Sequence, residues 1–95
     1  MYLRGIFIFL FTSVKYQMLT GGQIRAARAF LRWSVAELAE KAAVERHTIM
    51  RIEKANGVPA TRAQTLNDLK TVLEGAGIEF TGTVEQNPGV SLRIR

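Results

Sequence analysis

The 95-residue chain is long enough for one small hydrophobic core and too short for two. It has no cysteine and one histidine, which excludes a disulfide framework, a thiolate metal site and a histidine-cluster metal site. Its formal net charge of +5 points to an acidic partner, either nucleic acid or an anionic membrane surface.

The basic surplus is concentrated. Residues 21–62 carry eight Lys/Arg against four Glu, whereas residues 63–95 carry three basic and four acidic groups. The chain opens with MYLRGIFIFLFTSV, whose apolar run from Ile6 to Phe11 is far shorter than the roughly 20 residues a membrane helix needs. The run has the length of a signal-peptide core, but no small-residue cleavage site follows it. Its aromatic and β-branched residues give it strand propensity. Residues 1–19 are read as a loosely attached extension outside the native domain, and Met18, just before a good helix start, is the expected functional start.

From Thr20 the pattern becomes helical. QIRAARAFLRW places Ile24, Ala27, Phe30 and Leu31 on one stripe, with Arg25, Arg28 and Arg32 largely off it. Ser34 with Glu37 forms a capping box, S-V-A-E, opening a short alanine-rich helix from Val35 to about Ala42. Val44 leads into a third helix, about Arg46 to Lys54. N-G-V-P breaks the chain at 56–59, and Thr61 with Gln64 predicts a second capping box. Leu66, Leu69, Val72 and Leu73 form the apolar stripe of a fourth helix, ended by Gly75 and Gly77. Residues 20–77 thus form one helical domain. The tail at 78–95 alternates: I-E-F-T-G at 78–82 and V-S-L-R-I-R at 90–95 each have period two, with Q-N-P-G between them, which predicts a β-hairpin.

The third helix separates its residues sharply. At about 100° per residue, Ile49 and Ile52 mark an inner face, while His47, Met50, Arg51 and Lys54 fall opposite and Arg46 lies at the flank. Such a face suits the major groove of B-DNA, where Arg pairs bidentately with guanine and Met or Thr touches a thymine methyl. Counting from Val35 as position one, Ala39 stands at five, Ala43 at nine, Val44 at ten, Ile49 at fifteen and Ile52 at eighteen. Small residues at five and nine allow a close helix crossing and a tight turn, and the aliphatics lock the second helix of the pair. This is the helix-turn-helix pattern.

The stretch QIRAARAFLRWSVAELAEKAAVERHTIMRIE resembles the Cro/cI-type (XRE) helix-turn-helix domains of bacterial and phage repressors. The resemblance covers about residues 22–76, and A-G-I-E-F…G-V-S-L-R is similar to tails of small bacterial members. Three positions depart from the family pattern. Val35 stands where Gln is common, Ala43 where Gly is usual, and Glu45 where Ser, Thr or Asp starts the third helix. If Ala43 has positive φ, it costs about 1 kcal/mol relative to Gly.

The resemblance implies a mainly α, lambda-repressor-like helix-turn-helix bundle of four to five helices with a C-terminal β-hairpin. It implies base reading by Arg46, His47, Met50 and Arg51. Phosphate contacts are expected from Ser34, Thr48, Lys54, Asn56, Thr61 and Arg62, and a structural ion pair from Arg28 and Glu53. Trp33 is expected to plug the space between the first two helices. The expected function is sequence-specific binding to double-stranded DNA as a small cytoplasmic transcriptional regulator, without a cofactor or a membrane partner. Val35 and Glu45 also fit an alternative, an antitoxin-like or other protein-interaction module with a partner such as a toxin. Ser34, His47 and the glutamates show no nucleophile–base spacing, so no enzyme is expected. The tail's alternating apolar faces and free edges predict a homodimer held partly by residues 78–95, the hairpin pairing with its copy in a second chain or, as the alternative, folding back on its own helices.

Overall fold

The computed structural model describes residues 19–83 and 86–93. The expectations for residues 1–18, including the apolar run and Met18, lie outside the described residues. Four helices and one hairpin follow in order: α1 (Gly21–Leu31), α2 (Val35–Ala42), α3 (Arg46–Lys54), α4 (Ala63–Gly75), β1 (Ile78–Thr81) and β2 (Gly89–Leu92). The described part is mainly helical with a two-stranded antiparallel sheet. None of the described helices is long and apolar enough to cross a membrane.

Local chemistry sets the helix ends. Thr20 and Gln23 form a capping box at α1, the Gln23 amide donating to Thr20 Oγ1 at 3.1 Å and the Thr20 amide to Gln23 Oε1 at 3.0 Å. Ser34 and Glu37 do the same at α2, both bonds being 3.0 Å. The helices α1 and α2 each stop on a non-glycine residue in the left-handed region, Arg32 (φ 58) and Ala43 (φ 55). Only three residues, Ala43, Val44 and Glu45, separate α2 from α3.

The expected capping box of Thr61 with Gln64 does not form. Arg62 holds the N-cap position of α4, and its carbonyl accepts from the Leu66 amide at 3.2 Å. Thr61 thus stands one residue too early to reach the third helical amide, and Gln64 Nε2 donates to Asp68 Oδ1 instead. The α4 helix ends where Gly77, at φ 108, donates its amide to the Glu74 carbonyl at 3.0 Å.

Ile24, Leu38, Ile49, Ile52, Leu69 and Leu73 are the large fully buried side chains, drawn from all four helices. Phe30 is not among them. It is 50% exposed, because the buried stripe of α1 runs through Ile24, Ala27 and Leu31 and leaves Phe30 on its flank. Trp33 packs against the core from the α1–α2 junction, with Lys41 Nζ 5.0 Å from its ring centre.

The hairpin docks on its own helices, β2 against α1 and β1 against α4. Its register pairs Ile78 with Leu92, Glu79 with Ser91, Phe80 with Val90 and Thr81 with Gly89. Ile78, Phe80, Val90 and Leu92 therefore share the face that meets the core, and Glu79 and Ser91 face out. Gln23 Nε2 donates to the carbonyls of Thr81 (3.3 Å) and Gly89 (3.0 Å), tying the hairpin to the start of α1. Of the two expected partners for the apolar face, the chain's own helices cover it here. Both strands put their apolar residues on one side, and the nearby helices cover it.

Candidate nucleic-acid interface

The α3 helix carries most of the predicted site. Ile49 and Ile52 are completely buried, while Arg46, His47, Met50, Arg51 and Lys54 are exposed on the other side. One helix therefore spends two side chains on anchorage and shows four cationic or imidazole groups and a thioether outward. No side chain caps its N-terminus: Glu45 holds the N-cap position without bonding a first-turn amide. The Glu45 carboxylate turns to His47, Oε2 standing 3.1 Å from Nε2, with both side chains more than 70% exposed.

Its other end is held firmly. Arg28 grips Glu53 bidentately, Nε to Oε2 and Nη2 to Oε1, each at 2.9 Å. The same guanidinium donates Nη1 to the Trp33 carbonyl at 2.9 Å. Hydrogen bonding to the Glu53 carboxylate and its charge push the Arg28 pKa up, against the opposing effect of burial. Arg25 Nη1 donates to the Glu53 carbonyl at 2.9 Å, and the Gly21 amide to the Gly57 carbonyl at 3.2 Å. A Cβ on Gly21 would overlap the carbonyl oxygens of Ile52 and Ala55, so the first turn of α1 lies directly on the end of α3.

The remaining predicted residues fall into three places. Thr48, Arg51, Thr61 and Arg62 line one polar groove between α3 and the start of α4, together with Thr65 and Asp68. Within it Arg51 Nη1 donates to the Ala60 carbonyl at 2.7 Å, linking the outer face of α3 to the 55–62 loop. Asn56 lies apart, in a hollow with Thr20, Gln23, Arg25 and Gly89. Ser34 is exposed at the head of α2, where its hydroxyl already accepts from the Glu37 amide. The structure thus gathers the outer side chains of α3 and the groove lined by Arg51 and Arg62 on adjoining surfaces, and does not bring Ser34 or Asn56 into that groove.

Arg25 and Gln23 were not among the predicted site residues, although both position it. Gln23 stands three residues after Thr20, the spacing of a capping box, which was a readable signal. Nothing local marks Arg25, since its acceptor lies 28 residues away. Among the described residues, no group of three or more His, Asp or Glu is placed to hold a metal ion. The arrangement can bind anions and offer hydrogen-bond donors along a ridge one helix wide. No protein-family model matches the chain, and no curated protein matches it.

Proposed function

We propose that the chain binds double-stranded DNA sequence-specifically, as a small bacterial or phage-type transcriptional regulator, with α2 and α3 forming the helix-turn-helix of a lambda-repressor-like domain. The observation that carries this reading is the two-sided α3. Its isoleucines are sunk in the core, so its cationic face is presented rigidly at a width that a major groove accepts. Arg46, His47, Met50 and Arg51 are the base readers, and Lys54 and Arg62 are the phosphate contacts. Two copies bind half-sites about 34 Å apart, one DNA turn. Their contact uses a surface other than the hairpin's apolar face, which its own helices cover.

Binding to a duplex selected from a random library, measured over a salt series, tests this. Log affinity should fall linearly with log salt. Lys54→Ala or Arg62→Ala should each flatten that slope by about 0.9 and weaken all sequences alike. Arg46→Ala should cost roughly 1–3 kcal/mol at the selected site and relax one base position. Absence of duplex binding at low salt would remove the proposal. The acidic, exposed Glu45 at the reading end favours a second reading, a protein-interaction module of antitoxin type, which salt-insensitive capture of a protein partner would support.

A further inference from the structure

We infer that Glu45 is a specificity-determining residue that selects cytosine, aimed by His47; this rests on the DNA-binding reading above. Glu45 occupies the N-cap of α3, yet its side chain makes no cap bond. At the head of α2 the Ser34 hydroxyl does fold back on a first-turn amide. Glu45 extends outward instead, 74% exposed, and meets His47 Nε2 at 3.1 Å. Both stand at the end of α3 that carries Arg46, and the N-terminal residues of a reading helix are the ones that reach base edges.

A carboxylate in that place discriminates strongly. It is repelled by phosphates and by every acceptor in the groove. Guanine offers O6 and N7, and thymine offers O4, all acceptors. Adenine offers the N6 donor with the N7 acceptor beside it. Cytosine presents its N4 amino donor at the outer edge of the pair, with an acceptor, the paired guanine O6, on one side only, whereas adenine N6 lies between N7 and the paired thymine O4. Glu45 therefore gains its best hydrogen bond at cytosine, a poorer one at adenine, and meets only acceptors at guanine and thymine. His47 Nε2 stands beside Oε2, which leaves Oε1 free to accept from the base. Glu45 acts against non-cognate duplex as much as for the cognate site.

The experiment is selection from a random duplex library with the full chain and with Glu45→Gln, Glu45→Ala and His47→Ala, each checked for unchanged helical content. The parent should prefer cytosine at one position of each half-site by roughly tenfold. Glu45→Gln should move that preference to adenine, because a carboxamide offers the donor and acceptor that match adenine N7 and N6. Glu45→Ala should abolish it and tighten binding to non-cognate duplex. His47→Ala should reduce the cytosine preference without moving it to another base, and separately relax the position that His47 itself reads. Base preferences identical in the parent and both Glu45 variants would overturn the inference while leaving DNA binding intact, as would a loss that is uniform over all sequences. If the parent itself enriches no sequence, the DNA-binding reading falls and takes this inference with it.

Discussion

Ala43 holds φ 55 and ψ 44, a conformation in which an L side chain crowds the following carbonyl. Glycine avoids that crowding at the cost of a freer unfolded chain. Ala43→Gly should therefore stabilise the fold by about 1 kcal/mol, read as a higher urea midpoint with an unchanged slope. Glu37 shows a different single-residue effect. Its carboxylate accepts from the Ser34 amide, and that bond and the Ser34 hydroxyl hold its pKa below the usual glutamate range. A lowered folded-state pKa means stability that is complete above the unfolded value, about 4.3, and is lost as pH falls through the folded value. Glu37→Gln keeps the capping geometry without the titration. Its urea midpoint should change less between pH 5 and pH 3 than that of the parent.

At the scale of elements, the α1–α3 contact is ionic as well as apolar. The side chains of Arg28 and Glu53 are only 21% and 8% exposed, so removing one partner strands a charge that water hardly reaches. Arg28→Ala should cost about 3 kcal/mol in thermal or urea unfolding. The extents of α2 and α3 were legible because every signal for them is local: the S-V-A-E box, Ala43 at the turn, and Ile49 and Ile52 three apart. The start of α4 was misread for a reason that is not local. Thr61 has the right spacing to Gln64, but the Thr61 amide bonds the Pro59 carbonyl and Arg51 holds the Ala60 carbonyl, so the chain turns into the helix one residue later. Phe30 lies about 60° beyond Ala27 on the helical wheel, just outside the buried stripe, which hydrophobicity alone does not show. Within the candidate site, the cationic face of α3 could be read on a helical wheel. The placing of Arg51 and Arg62 on one groove could not, since it depends on the path of the loop that Arg51 holds at Ala60.

At the scale of the whole molecule, the hairpin is a lid on the helical bundle. Period two in the tail shows that each strand has an apolar side, and it is silent on what covers that side. The covering here is intramolecular, fixed by Gln23, whose two acceptors lie 58 and 66 residues away along the chain. The contact of Gly21 with the end of α3 has a mechanical consequence. The nine residues of α3 are held at Glu53 by Arg25 and Arg28, and no side chain caps the other end, so the helix tip lies about 13 Å from the contact beside Gly21. A tilt of about 5° at that contact moves the far tip by roughly 1 Å, enough to spoil a hydrogen bond to a base edge. Gly21→Ala forces such a tilt, because the added methyl must push the carbonyls of Ile52 and Ala55 away. The variant should melt lower; on the DNA-binding function proposed above, its duplex selectivity should fall further than its salt slope, since phosphates tolerate a misaimed cation better than base edges tolerate a misaimed guanidinium. Equal loss in both measurements would mean that α3 does not pivot.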